Sequence, residues 1–221
     1  MWYGFDPGGN FGAARIDAGG NFTCFVTRSI DQARDFVQSD VCGVGIDSVL
    51  WWTRRTGGSR RADQFVRRAC VAGGGKGGTV SPINSLQGVM FVPAYMLIAE
   101  LREVHKAVPV TEAHPKALLH ALGLPVWRPT LEYDLFSESW KTIARAFSLE
   151  GVPPSNEHER DAIVAAVCAR EGYLGRWTVN LALERPSDEF ALDNLLNGQV
   201  DYFWPSEDCA SYGRRLGSLY V

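Results

Sequence analysis

Short apolar runs that stop at a single acidic residue recur through the first half of the chain. Trp2-Tyr3-Gly4-Phe5 stops at Asp6, Val41-Cys42-Gly43-Val44-Gly45-Ile46 at Asp47, and Val108-Pro109-Val110-Thr111 at Glu112. Runs of this length, rich in β-branched and aromatic residues and bounded by Gly and Pro, predict strands. Residues 11–17 and 22–27 predict two more, joined across Ala18-Gly19-Gly20-Asn21 as a hairpin. Ser29 then caps a helix to about residue 38, with Ile30, Ala33, Phe36 and Val37 on its inner stripe. The opening order is strand, strand, strand, helix, strand, which places the chain in the α/β class.

Further on, the pattern predicts helix over 84–106 with a bend near Pro93, then over 115–122, 137–149 and 157–171. Residues 48–82 read as irregular, and the glycine run at 73–78 reads as a mobile loop. It fits G-x-G-x-x-G formally, yet no strand leads into it and no helix follows. Trp177 to Leu183 alternates as a strand does, and Tyr202-Phe203-Trp204-Pro205 suggests an aromatic edge. The expected organisation is one α/β domain over 1–175 with a C-terminal extension, 176–221, packed on it. No internal repeat or coiled-coil period is present.

Composition narrows the classes. With 221 residues, 46% hydrophobic and 21% charged, the chain suits one soluble globular domain. A net charge of −3 argues against uniform electrostatic attraction to nucleic acid and leaves room for a local basic patch. The five cysteines are spread singly, without a C-x-x-C pair, which suits reduced thiols and a cytoplasmic setting. The longest apolar stretch, Val89 to Ala99, is too short to span a bilayer and contains Pro93, so no membrane partner is expected.

The candidate chemistry lies in the acidic residues. A carboxylate ending a buried strand is costly unless it meets a cation or a donor. Two of them about 4 Å apart repel by roughly 4 kcal/mol at an effective dielectric near 20. A divalent ion would reverse that cost, so strand-end carboxylates gathered at one sheet edge predict a metal-dependent site. Asp6 before Pro7-Gly8 also suits a simple turn, and Asp47 a loop cap. Asp161 shares a helical stripe with Val164, Ala165 and Cys168, which turns it inward near a helix N-terminus. Asn156 and Glu159 fit a capping pair, and Glu157 is a supplementary ligand candidate. His114 lies two residues after Glu112, on the same predicted face.

Taken in order, several segments resemble the domain of unknown function 429 family, predicted nucleases of the ribonuclease H-like superfamily. They are Gly4-Phe5-Asp6, Gly45-Ile46-Asp47-Ser48-Val49-Leu50, Arg60-Arg61-Ala62-Asp63, Thr111-Glu112-Ala113-His114-Pro115, Lys141 to Arg145, and Arg160-Asp161-Ala162. The resemblance implies a ribonuclease H-like mixed sheet, three antiparallel strands then parallel ones, flanked by helices. It implies Asp6, Asp47, Glu112 and Asp161 as acidic metal ligands. The function expected on that basis is a two-metal hydrolysis of phosphodiester bonds with Mg²⁺ or Mn²⁺, with these four catalytic and His114 auxiliary. Ser48-Val49-Leu50 departs from the family, which usually has a Pro there, and His114 replaces a common Tyr.

The arginines following Asp47 suggest the phosphate contacts. Arg54, Arg55, Arg60 and Arg61, with Lys141, are the expected nucleic-acid-binding residues, DNA or RNA. A solvated or ion-paired loop explains the same arginines equally well. Trp51, Trp52, Trp127, Trp177 and Trp204 suit base stacking, core packing or a homodimer contact. Two other functions compete on this fold: an actin- or sugar-kinase-like ATPase or phosphotransferase holding nucleotide at Asp6 to Asn10, and a non-catalytic binding or assembly module.

Overall fold

Strands β1 (Trp2–Asp6), β2 (Phe11–Ile16), β3 (Phe22–Thr27) and β4 (Gly43–Asp47) form where the apolar runs predict them. After the short β5 (Trp51–Thr53) the chain returns to the sheet as β6 (Val110–Ala113). These come from a computed structural model, which describes residues 1–85, 89–126, 133–191 and 196–206. The main sheet has five strands in the order β3-β2-β1-β4-β6. β2 runs antiparallel to β1 and β3, whereas β4 is parallel to β1 and β6, so the sheet is mixed.

Helices cover both faces. On one, α1 (Ile30–Phe36) packs its Phe36 edge-on against Tyr3, with ring centroids 5.6 Å apart. The Ser29 side chain accepts the Gln32 N–H, as its place before the apolar stripe predicts. α3 (Phe91–Val104) lies beside α1, tied by Arg34 to Glu100 at 3.0 Å. Pro93 falls in the first turn of α3, where its missing N–H costs no helical bond, so the bend expected there does not arise.

The other face belongs to α6 (Glu157–Tyr173), the longest helix among the described residues at 17 residues. Asn156 caps it by accepting the Glu159 N–H at 3.0 Å, and Glu159 reaches back to the Ser155 N–H at 2.6 Å. The reciprocal cap is therefore displaced one residue outward from the predicted pair. Alanines 162, 165, 166 and 169 are all fully buried against the strands. A Cβ on Gly4 would stand 2.0 Å from the Ala162 carbonyl oxygen, and one on Gly45 1.9 Å from that of Ala165. Helix backbone meets strand backbone directly, and no side chain fits between.

Residues 48–82 are more ordered than the pattern predicts. β5 pairs with β8 (Glu189–Ala191), over a hundred positions later, a partnership no local window reveals. α2 (Arg61–Ala72) buries Ala62, Asp63, Val66 and Cys70, a stripe interrupted by its arginines. The glycine run is not a free loop. Gly73 closes α2 so near α4 (Pro115–Ala121) that a Cβ would lie 1.8 Å from the His120 carbonyl oxygen. Arg67 then holds the run's far end, donating to the Gly77 and Val80 carbonyls at 3.2 and 2.9 Å.

α5 spans Tyr133–Ala146, starting earlier than predicted. Of the strand expected over 177–183, β7 (Val179–Asn180) forms, paired with β9 (Phe203–Trp204). Asp201 continues the main sheet past β6, accepting the Glu112 N–H at 2.8 Å and donating to the Val110 carbonyl at 2.9 Å. Trp177, Tyr202 and Trp204 are buried, whereas Trp127 and Cys209 lie outside the described residues. The four described cysteines are free, and no helix among the described residues is long and apolar enough to cross a membrane.

The backbone contact has a direct test. Gly45→Ala should cost about 1–3 kcal/mol by forcing α6 off the sheet. Gly57→Ala, where a Cβ meets nothing within 4 Å, should stay within about 0.5 kcal/mol of the parent in urea unfolding.

Candidate active site

Strand register fixes the first two carboxylates. Side chains alternate along a strand, so Asp6 shares the face of Gly4, and Asp47 that of Gly45. Gly4 pairs with Gly45 and Phe5 with Ile46, which sets Asp6 and Asp47 level on the α6 face. Both line a cleft of about 420 Å³ at the C-terminal ends of the parallel strands, the usual place for ligands on such sheets. Gly8 and Gly9 from the β1–β2 turn, Thr79 and Phe91 form other parts of its wall.

The start of α6 brings the third carboxylate. Asp161 is about 1% exposed, turned inward as the helical stripe predicts. Arg160 donates to its Oδ1 from Nε at 2.8 Å and from Nη2 at 2.6 Å. Lys116, in the first turn of α4, sets its Nζ 3.6 Å from Asp161 Oδ2 and 3.0 Å from Glu157 Oε2. His158 Nδ1 lies 2.7 Å from Asp6 Oδ2. Lys116 and His158 both line the cleft.

The charges are strongly interdependent. Burial pushes the Asp47 carboxyl well above the usual range, and the negative charges of Asp6 and Asp161 push it further, only partly opposed by Lys116 and Arg160. Asp161 is also raised, by burial first and then Asp6, against Arg160 and Lys116. His158 is raised by its hydrogen bond to Asp6. Burial works against the Lys116 charge, yet Asp161, Glu157 and Asp47 outweigh it and raise its pKa. The Asp47 carboxylate accepts no hydrogen bond from any described residue.

Glu112 departs from the expected ligand set. It pairs with Ile46, one position off Asp47, so strand alternation turns it to the opposite face of the sheet. There it is fully buried and saturated. Arg60 donates to its two oxygens at 2.8 and 2.5 Å, and the Leu50 N–H donates to Oε2 at 2.8 Å. Arg60 corrects a second expectation, since it is fully buried and cannot meet nucleic acid. Its guanidinium also binds Asp63 at 2.6 Å and stacks 4.0 Å from the Trp51 ring centroid. Burial pushes the Asp63 carboxyl up, but the Arg60 charge and hydrogen bonds outweigh this and hold it low.

His114 joins the two centres. Its Nδ1 is 3.5 Å from Glu112 Oε1 and 3.0 Å from the Tyr202 hydroxyl, while the ring lines the cleft. Burial lowers its pKa, against the pull of Glu112 and Asp63. The remaining predicted phosphate contacts are dispersed. Arg55 pairs with Asp188 at 2.7 Å, Arg61 lies 3.9 Å from Glu184, and Lys141 pairs with Glu138 at 2.7 Å. Arg54 is exposed and covers the Phe190 ring at 4.2 Å.

Lys116, His158 and Arg160 are site residues the pattern did not single out. His158 stands three residues before Asp161, so helical spacing could have flagged it; nothing local marks Lys116. Three carboxylates are the oxygen donors a hard divalent ion prefers, and Asp47, left without a hydrogen bond among the described residues, fits such a cation. As arranged, Lys116 and Arg160 bring positive charge among them, and His158 hydrogen-bonds Asp6. No group of three or more His, Cys, Asp or Glu side chains among the described residues is disposed to hold an ion. Compared with protein-family models, curated proteins and solved structures, the chain matches none of them.

Two stability measurements follow. The folded Asp47 binds its proton more tightly than the unfolded chain does, so its ionisation destabilises the fold as pH rises above about 4. Asp47→Asn should therefore raise the melting temperature at pH 7, with the gain vanishing below about pH 4. Glu112→Ala should cost about 3–5 kcal/mol in denaturant unfolding, because buried Arg60 loses one of its two carboxylates and keeps only Asp63, and the Leu50 N–H loses its acceptor.

Proposed function

We propose that the chain is a metal-dependent nuclease of the ribonuclease H-like class, hydrolysing phosphodiester bonds in nucleic acid. The observation that carries this reading is the pair Asp6 and Asp47, from β1 and β4, lining one cleft, with Asp161 of α6 buried behind it on the cleft residue Lys116. The sheet order β3-β2-β1-β4-β6, with β2 antiparallel, supports the class assignment, as does the resemblance of the ordered motifs. Charge supports the chemistry, since Asp6 and Asp161 raise the cost of ionising Asp47, a cost that a cation in the cleft would offset.

Asp6, Asp47 and Asp161 are the residues that would hold Mg²⁺ or Mn²⁺; Glu112 is withdrawn from the set. Such ions supply acidification of an attacking water and stabilisation of the leaving oxygen. The chain's own groups do the rest. Lys116 neutralises Asp161 and Glu157 and offers a cation to a phosphate in the cleft. His158 holds a proton at Nδ1 against Asp6 Oδ2, beside the reacting atoms. His114, fixed by Tyr202, presents its ring to the same cleft. A phosphotransferase reading rests on Gly8, Gly9 and Gly78, which line this cleft too. Saturable MgATP binding with no affinity for oligonucleotides would select it.

The nuclease reading is tested with labelled DNA and RNA oligonucleotides in Mg²⁺ or Mn²⁺. Asp6→Asn and Asp47→Asn should each lower cleavage by at least about 100-fold with circular dichroism unchanged. Calorimetry should show Mn²⁺ uptake by the parent and its loss in Asp6→Asn. Undiminished cleavage by Asp6→Asn would refute the assignment.

A further inference from the structure

Beside the acidic cleft runs a strip of aromatic rings that ends in a cation. Phe91, at the start of α3, lines the cleft itself. Trp52 meets it edge to face, with centroids 5.4 Å apart, and Tyr95 stacks on it at 5.8 Å. Trp52 is 40% exposed although it is among the largest apolar side chains in the protein. It lies directly opposite Phe190 in the β5–β8 pair, on the outward face, while its neighbour Trp51 points inward and donates to Glu189 at 2.9 Å. Arg54, two residues on, extends over Phe190 and forms no ion pair among the described residues.

The strip therefore leads from Phe91 in the cleft through Trp52 and Phe190 to a guanidinium free to meet an anion. We infer that Trp52, Phe190 and Arg54 form a binding platform for single-stranded nucleic acid that feeds the cleft. This rests on the proposed nuclease activity and adds the substrate class. The exposed Trp52 ring suits an unstacked base, which has a free π-face, and the guanidinium lying over half-buried Phe190 suits the phosphate beside it. A duplex buries its base faces in its own stack and gains nothing from such rings. The cleft agrees, because about 420 Å³ accommodates a nucleotide-sized group and not a double helix. The acidic net charge of −3 limits the attraction to this local strip.

The test is fluorescence anisotropy in EDTA, so that binding is read without cleavage. The probes are fluorescein-labelled 12-nucleotide oligothymidylate, oligouridylate, and the oligothymidylate annealed to its complement. Single strands should bind at least about 10-fold more tightly than the duplex. Trp52→Leu, which keeps apolar bulk and removes the ring, should weaken single-strand binding about 10-fold, while Trp52→Phe should stay within about 3-fold. Arg54→Ala should weaken binding and reduce the log–log salt slope by about 0.7. Equal affinity for the duplex, no binding of either single strand, or an unchanged Kd in Trp52→Leu would overturn the platform. Mn²⁺-dependent cleavage by the parent is scored separately. Trp52-dependent binding without cleavage keeps the platform and removes the nuclease; cleavage with Trp52-independent binding does the reverse.

Discussion

The bare contact between α6 and the centre of the sheet governs the placement of everything else. Gly4 and Gly45 leave no Cβ on two neighbouring strands, and the alanines of α6 occupy that space with backbone. Gly12 does the same on β2, where a Cβ would come within 2.2 Å of the His158 carbonyl oxygen. Close packing of this kind admits little slack, because interiors are as dense as organic crystals. The helix is thereby held at one height and one angle over β2, β1 and β4. Its first turns, with His158, Arg160 and Asp161, arrive at the strand ends where Asp6 and Asp47 stand.

Strand alternation then separates two ionic centres that look continuous in the sequence. On the α6 face the Asp47 carboxylate has no donor among the described residues, and the charge of Asp6 raises the proton affinity of both Asp47 and Asp161. On the opposite face Glu112 and Asp63 are saturated by Arg60, the Leu50 N–H and the Arg60 N–H. A saturated buried pair contributes order; an unsaturated cluster favours a ligand. The difference sets an incompletely compensated face against a fully paired one.

The two faces nevertheless communicate. Leu50 follows Asp47 by three residues, and its N–H is held by Glu112 from beneath the sheet. Asp201 from the C-terminal segment accepts the Glu112 N–H, and Tyr202 holds His114 at the cleft. Glu112 thus positions the loop after Asp47 in place of ligating. The C-terminal segment braces the same strand. β8 supplies the partner strand for β5, and with it the outward row of Trp52 and Phe190.

Local pattern by itself determined the strands ending at Asp6 and Asp47, the strand that carries Glu112 and ends one residue beyond it, the hairpin at 18–21, the cap at Ser29 and the inward turn of Asp161. Each depends on neighbours within a few residues, through side-chain alternation, helical spacing or a capping hydroxyl. Tertiary structure alone decided that Glu112 faces away from Asp6, since one position of register reverses every side chain and spacing does not reveal pairing. It decided that Arg60 is buried, that residues 51–53 are a strand, and that Lys116 meets Asp161. These rest on partners 52, 138 and 45 positions apart in the chain, and such contacts exist only once the sheet and α6 have closed on each other.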